Sequence, residues 1–450
     1  MRNTSRRSFI KSASTLSSGL IILPGLYGFS ANNKLNIAVI GVGGRGRANW
    51  GSVQNENIVA MCDVDDNRAA EGYKMFPKAK KFKDFRVMFD EMHKEIDAVI
   101  ISTPDHTHFS ATMIAMELGK HVYVEKPLAH NIWELRTLKK AAKYYGIVSQ
   151  MGNQGHTTNG IRLMKEWYEA GVLGEVKEVH AWIGAFDFRP GHYWTKPKKF
   201  PPPKHLIPNY LDWNLWLGPA KYRDFNSAYA PKSWRGFYDF GNGQLGDWAC
   251  HTLDGPFWSL DLGIPSKVEA YVPDPMTKHN FVSEQSMVTY HFGKRKTKPP
   301  VTLKWYEGGL KPDFDKLGLD KTKLSRGGMV MIGDKNTLIT GGRPNDPKLA
   351  MSDSQWKEFL RNAPEKTIPR VKEEGPVDEW VHAIKNDTLP LSNFDYSARL
   401  TEMALLGCLA QRFNANFDYN SSKMKITNRS DLDAFIKEPA REGWSYGSKF

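Results

Sequence analysis

Residues 35–63 constrain this chain more than any other stretch. Leu35-Asn36-Ile37-Ala38-Val39-Ile40 is a compact apolar run of strand character. Gly41-Val42-Gly43-Gly44-Arg45-Gly46 follows directly, giving G-x-G-x-x-G at 41, 43 and 46. In that spacing Gly41 permits a tight turn, Gly43 lets backbone approach a pyrophosphate, and Gly46 lets the next helix pack close to the strand. The phosphates are then expected on a helix N-terminus, beside Gly44 and Arg45, where free N–H groups and the dipole favour anions. A second apolar run, Ile58-Val59-Ala60-Met61-Cys62, ends at Asp63, about twenty residues after the loop. An acid there accepts from a ribose diol and repels a 2′-phosphate, so the pattern predicts NAD. Arg45 and Arg68 keep NADP as the lesser alternative.

The pattern continues in βα units. Ile96-Asp97-Ala98-Val99-Ile100-Ile101 runs into Ser102-Thr103-Pro104, then apolar residues recur at helical spacing from Phe109 to Leu118 before Gly119. His121-Val122-Tyr123-Val124 exits through Glu125-Lys126-Pro127, and a helix is expected over 132–145. Alternating strands and helices of these lengths predict a doubly wound parallel sheet. Ligands bind beyond the carboxyl ends of such strands, where Thr103, His108 and Glu125 lie.

At 450 residues the chain exceeds one ordinary core, so at least one further domain is expected. The formal charge of +13 raises the question of nucleic acid. Arg2, Arg6, Arg7 and Lys11 stand without an acid before residue 32, which leaves +9 for the rest. That surplus is scattered over Lys78–Lys83, Lys196–Lys199 and Lys294–Lys298, none inside a nucleic-acid-binding pattern, so no nucleic-acid partner is expected. Cys62, Cys250 and Cys408 are odd in number and far apart, which excludes a disulfide framework. Ser5-Arg6-Arg7-Ser8-Phe9-Ile10-Lys11 precedes a weakly apolar stretch broken by Gly19, Pro24 and Gly25, too short to span a membrane. Residues 1–31 therefore read as a twin-arginine signal peptide and the mature protein as periplasmic. That route exports folded proteins, so a cofactor would be acquired beforehand and retained tightly.

With Gly41–Gly46, Thr103-Pro104-x-x-x-His108 and Glu125-Lys126-Pro127 in order, the chain resembles the Gfo/Idh/MocA oxidoreductase family. The stretches 211–219 (LDWNLWLGP) and 243–251 (GQLGDWACH) look like its exported bacterial branch. The resemblance implies an α/β protein: a Rossmann domain over 35–153, then a C-terminal α+β domain over 154–450 with an open, mostly antiparallel sheet covering the nicotinamide. Strand-like stretches at 176–183, 267–271, 286–292 and 301–305 suit that sheet, with a helical return over 377–413. The Pro- and aromatic-rich stretch 190–238 is expected to lie over the active site. A homo-oligomer is expected by family analogy alone.

Oxidising a sugar hydroxyl needs a base for the O–H proton and a positive group near the developing alkoxide. The resemblance places Lys126 and His251 at the active site. The residues suggest His251 as general acid/base, Lys126 as alkoxide or substrate-hydroxyl stabiliser and Asp247 as the carboxylate that orients the imidazole or binds substrate. A helix opening at Asp247 and running through Leu260 would put Asp247 and His251 on one face, with Asp254 a turn along. The family pattern puts His108 near the nicotinamide ribose, while Asn153 and Gln154 follow a strand and are placed against nicotinamide or substrate. Fourteen Trp suit both cores and sugar faces; Trp182, Trp194 and Trp234 are candidate sugar platforms. His106 and His108 lack a third ligand at suitable spacing, so no metal is expected. The expected function is NAD-dependent oxidation of a hydroxyl on a sugar or glycoside. The alternatives are redox-neutral glycoside cleavage and non-catalytic sugar binding. A cleaving branch similar to this chain in signal and glycine loop departs from Glu-Lys-Pro and Asp-x-x-x-His, both present here.

Overall fold

The computed structural model describes residues 34–184, 193–275 and 280–450; the proposed signal peptide lies outside them. Six strands, β1 (Asn36–Ile40), β2 (Asn57–Cys62), β3 (Lys80–Phe82), β4 (Ala98–Ile101), β5 (His121–Val124) and β6 (Ser149–Met151), form an all-parallel sheet in the order β3-β2-β1-β4-β5-β6. Between them run α1 (Arg45–Gly51), α2 (Asp66–Met75), α3 (Phe85–Met92), α4 (Asp105–Glu117) and α5 (Ile132–Tyr145). Central strands covered on both faces have no polar side, and all four residues of β4 are buried. The strand order reverses between β1 and β4, whose last residues Ile40 and Ile101 pair, so a crevice opens just beyond them. Helix α5 keeps the boundaries read from the sequence because both ends carry local signals. Asn131 and Glu134 form a capping box, and Gly146 closes the helix in the left-handed region.

The second half adds α6 (Asn159–Glu169), α7 (Trp213–Leu217), α8 (Gly243–Thr252), α9 (Asp254–Ser259), α10 (Asp353–Arg361), α11 (Pro376–Lys385) and α12 (Phe394–Phe413). Its sheet has nine strands: β7 (Val176–Trp182), β8 (Lys267–Tyr271), β9 (Ser286–Phe292), β10 (Val301–Glu307), β11 (Gly328–Gly333), β12 (Thr337–Gly341), β13 (Lys348–Leu349), β14 (Phe417–Asn420) and β15 (Lys425–Ile426). They lie in the order β13-β12-β11-β7-β10-β9-β8-β14-β15, antiparallel except for the central pair β7 and β10. The expected helical return is two helices, α11 and α12, because Pro390 in the intervening segment cannot supply a helical N–H. No helix among the described residues is long and apolar enough to cross a membrane.

Helix α12 joins the halves. Most of its residues are buried, and it packs against α5, α8, β8 and β9. Its one deeply buried acid, Glu402, is held by Arg136 Nε and Nη2 at 2.6 and 2.5 Å and by the Tyr419 hydroxyl at 3.0 Å. A bidentate pair of this kind satisfies the charge that burial would otherwise penalise. Cys408, also on α12, donates its thiol to the Asn242 carbonyl and so fixes the start of α8. All three cysteines are free and buried.

The expected helix from Asp247 through Leu260 is corrected. Helix α8 begins four residues earlier, behind Asn242, and the chain starts afresh in α9 at Asp254. Pro256 explains the break: it has no N–H to give the Thr252 carbonyl, so one continuous helix cannot form.

One titrating group couples this fold to pH. His121 at the start of β5 accepts the Val148 N–H at 3.1 Å through Nδ1, which requires a free lone pair. Burial, aided by Lys120 and opposed by Asp387, pushes its pKa down to about 4. The unfolded chain takes up the proton near pH 6.5 while the folded chain resists it, so stability present above about 6.5 is lost as pH falls towards about 4. We expect this group to contribute up to about 3 kcal/mol of that loss. His121→Asn keeps an acceptor without a titration, so its denaturation midpoint should fall less between pH 7 and 4.5. Equal falls in both proteins would rule out this assignment.

Candidate active site

A cavity of ≈470 Å³ opens where the β1–β4 crevice meets the second half. One wall is the glycine loop. Gly41 takes φ +81°, a conformation other residues rarely adopt, and a Cβ there would press on the Ser102 backbone at 2.7 Å. A Cβ on Gly46 would collide with the Gly41 carbonyl, so the close helix–strand approach depends on that glycine. No side chain caps the first turn of α1, where the Gly46 and Arg47 N–H groups donate to the Gly43 and Gly44 carbonyls and the turn faces the cavity through Gly44 and Arg45.

Asp63 lines the cavity and also clamps the loop. One carboxylate oxygen accepts the Val42 and Gly43 N–H groups at 2.8 and 3.2 Å, the other the Asp65 N–H at 3.0 Å. Burial pushes its pKa up, and the three backbone bonds oppose that shift. Glu125, 4% exposed, accepts from Arg45 Nε at 3.0 Å and from Asn49 Nδ2 at 2.9 Å, which ties the end of β5 to α1. A glycine cradle, a helix start without a side-chain cap, an acid after β2 and a cavity along all three suit a dinucleotide. Gly41, Gly43, Gly44, Arg45, Asp63, Thr103 and Glu125 would hold it.

The same cavity is lined by Lys126, Asp247 and His251. Lys126 Nζ donates to Asp247 Oδ1 at 2.5 Å and to the Asp247 carbonyl at 2.8 Å. Arg235 Nε donates to the same Oδ1 at 2.9 Å, and its guanidinium stacks 4.3 Å from the Trp234 ring and 5.2 Å from Tyr193. Burial alone would raise the Asp247 pKa, but Arg235 and Lys126 override it and hold the carboxyl well below its usual range. Burial, reinforced by Lys126 and Arg343 and opposed by Asp247, holds His251 neutral well below the usual imidazole range. Its Nδ1 is buried with no hydrogen-bond partner among the described residues. Asp247 and His251 do share a face of α8, yet the carboxylate turns to Lys126. It therefore orients the lysine and not, as expected from the spacing, the imidazole.

Gln154 also lines this cavity, its amide bonded to the Gly152 carbonyl, and Trp234 supplies part of the wall. Other candidates lie elsewhere. His108 is buried with its ring nitrogens 2.8 and 2.9 Å from the Pro127 and Thr103 carbonyls, bracing the two loops from behind. Asn153 and Asp254 form a buried network with His156, Tyr396 and Ser392, away from the cavity. Trp182 is fully buried against Phe314, its indole N–H donated to Ser325. Trp194 packs into the aromatic cluster of Trp213, Trp216, Tyr229 and Phe240. These indoles fill cores and present no platform to the cavity. His106 is held between the Phe240 and Trp216 carbonyls, and no group of three metal-ligating side chains occurs among the described residues.

The excursion from 193 to 240 does roof the cavity, through Tyr193, Leu215, Trp216, Lys232, Trp234 and Arg235. Sequence reasoning missed Arg235, Arg343 and Asn49. Arg235 adjoined a Trp already singled out, and Arg343 stands in Gly341-Gly342-Arg343-Pro344, a turn able to carry a side chain over a site.

Two family models match the chain: an oxidoreductase-family NAD-binding Rossmann fold over residues 35–153 and an oxidoreductase-family C-terminal alpha/beta domain over 158–295. A glycosyl hydrolase family 109 protein of Solibacter usitatus is 31% identical over 39% of this chain and 45% of its own length. A levoglucosan dehydrogenase of Pseudarthrobacter phenanthrenivorans is 28% identical over 49% of this chain and 50% of its own. The chain thus spans about half the length of these curated relatives. Among solved structures, an aldose-aldose oxidoreductase from Caulobacter crescentus has TM-score 0.58 at 14% identity, covering 86% of this chain and 100% of that one. The WlbA dehydrogenase from Bordetella pertussis, solved with NADH and UDP-GlcNAcA, has TM-score 0.59 at 15% identity, covering 86% and 98%. At such identities these show a shared fold. With its models matching residues 35–153 and 158–295 and the glycine cradle in place, the chain belongs to the Gfo/Idh/MocA oxidoreductase family and residues 35–153 are an NAD-binding Rossmann fold.

Proposed function

We propose that this protein oxidises a secondary hydroxyl of a sugar or glycoside with NAD, and that it works as an exported enzyme holding its cofactor tightly. The observation that carries the reading is the meeting of Lys126, Asp247 and His251 on the cavity that the glycine loop also lines. Bound NAD supplies the hydride acceptor. His251, kept neutral, takes the hydroxyl proton; the Lys126 ammonium donates to the oxygen as it becomes an alkoxide. Asp247 holds that ammonium in place, and Arg235, itself stacked on Trp234, holds Asp247. Trp216, Trp234 and Trp248 line the space and displace water from it. Similarity to levoglucosan dehydrogenase over half the chain supports a sugar as substrate. Ser5–Lys11 supports twin-arginine export and a periplasmic site, where lost NAD would not be replaced.

Similarity to a glycosyl hydrolase family 109 protein favours a second reading, in which oxidation is followed by elimination, hydration and re-reduction. Both readings share the first step, so one experiment separates them. Purified protein is denatured and any released nucleotide identified; intact protein is then mixed with sugars and aryl glycosides while nicotinamide absorbance is followed. The proposal expects stoichiometric NAD(H) and a single-turnover absorbance change without aglycone release. Free aglycone with no net change moves the protein to the cleaving class. Absence of nucleotide with weak binding of added NAD overturns both.

A further inference from the structure

The segment Arg441–Phe450 crosses from one half of the protein to the other, and neither family model reaches it. It starts against the excursion. The Arg441 N–H donates to the Pro219 carbonyl at 2.9 Å. The Arg441 guanidinium donates to the Gly218 carbonyl at 2.9 Å and to the Asn214 side chain and carbonyl at 2.8 Å each. Trp444, 5% exposed, then enters the first half. Its ring meets Phe85 edge-on at 5.8 Å, and the Arg86 guanidinium lies 4.2 Å from its centre. Arg86 is itself pinned to Asp84 Oδ2 at 2.6 Å, so the indole rests on a fixed support. Lys449 donates to the Tyr144 hydroxyl at 2.6 Å, and Phe450 packs edge-on against Tyr144 and Tyr145 at the end of α5.

Trp444 also lines the active-site cavity, and among the described residues no other lining side chain comes from beyond Arg343. Its place along the cavity follows from the sheet. Strands β2 and β3 pair in parallel, Cys62 beside Phe82, and the Asp63 N–H donates to the Phe82 carbonyl at 3.0 Å. Lys83, Asp84 and Phe85, which line the cavity too, therefore stand next to Asp63. In the order β3-β2-β1-β4-β5-β6 these exits lie on one side of the crevice, and that of β5, with Lys126, lies on the other. A Rossmann fold puts the acid after β2 at the ribose of the adenosine half and the glycine loop at the pyrophosphate, which leaves the β5 side for the nicotinamide. The aromatic pair Phe85 and Trp444 thus stands at the adenosine end, where a flat purine is the group to be covered.

Building on the tight retention proposed above, we infer that Arg441–Phe450 is a strap over the adenosine end of the NAD site, with Trp444 packed on the purine and Arg441 fixing the strap to the excursion. Release of the cofactor then requires the strap to lift. The test loads the protein with NADH, mixes it with excess NAD and follows release by nicotinamide fluorescence; affinity for ADP-ribose, which lacks the nicotinamide, is measured by calorimetry. Trp444→Leu keeps apolar bulk without the indole. It should release NADH about tenfold faster and bind ADP-ribose about tenfold more weakly, and Trp444→Phe should recover most of both. Arg441→Gln, at a position that does not line the cavity, should speed release by about threefold or more, and it carries the reading alone where Trp444→Leu fails to fold. Release within about threefold of wild type in both Trp444→Leu and Arg441→Gln overturns the strap, whatever happens to the denaturation midpoint, and leaves the segment a structural tie between the halves. Faster release at unchanged ADP-ribose affinity overturns it too, because the loss would then lie away from the adenosine. Wild-type protein that holds NADH weakly, or turns over no sugar, sinks the proposed function; the same variants read against ADP-ribose still decide the strap.

Discussion

His251→Asn should lower single-turnover sugar oxidation by about 10²–10⁴-fold, the usual contribution of a positioned base. The pH profile is the sharper reading. An unperturbed imidazole titrates near pH 6.5 and stops working as a base below it. In this protein burial, then Lys126 and Arg343, press the His251 pKa well below that value, so the neutral, proton-accepting form persists as the medium is acidified. The wild-type rate should therefore stay level through pH 6.5 and fall only at clearly lower pH, while the residual rate of the Asn variant shows no such limb. A wild-type inflection near 6.5, or a variant within about threefold of wild type, would remove His251 from the role of base.

What the sequence disclosed follows from where each signal is stored. Strands β1, β2, β4 and β5 are buried on both faces, so each appears as an unbroken apolar run next to local turn chemistry. The glycine motif works through backbone within six residues, and Glu125-Lys126-Pro127 sits at the end of one strand. Such features are readable one segment at a time. Strands β13 and β15 are two residues each and have no period to read; β11 opens and closes on glycine and hides in a turn-like context. Arg235 and Arg343 reach the cavity only because the excursion folds back on an aromatic cluster and the turn after β12 folds back over α8. Neither placement is written locally. The misplaced candidates share another cause. Residue type told that Trp182, Asp254 and His108 could bind something, but side and depth decide what, and Asp254 found His156 and Tyr396 instead of substrate.

Asp247→Asn should be damaging beyond the loss of one hydrogen bond, because Asp247 is the only carboxylate that Lys126 and Arg235 pair with among the described residues. Its side chain is 18% exposed, so water screens little of the repulsion left between the two cations. Removing one member of a buried pair strands the other charge; here it strands two, and about 3 kcal/mol of stability should go, with turnover falling about 10²-fold as the ammonium leaves the alkoxide position. The diagnostic protein is the double variant Lys126→Met/Asp247→Asn. If the damage comes from uncompensated charge, deleting one cation relieves it, and the double variant should unfold at higher denaturant than Asp247→Asn alone while remaining inactive. Independent contributions would make it less stable than either single variant. That ordering, read from three denaturation midpoints, decides whether Asp247 serves as the counter-charge that lets a lysine stand protonated beside a neutral histidine, which is what the proposed division between base and alkoxide stabiliser requires.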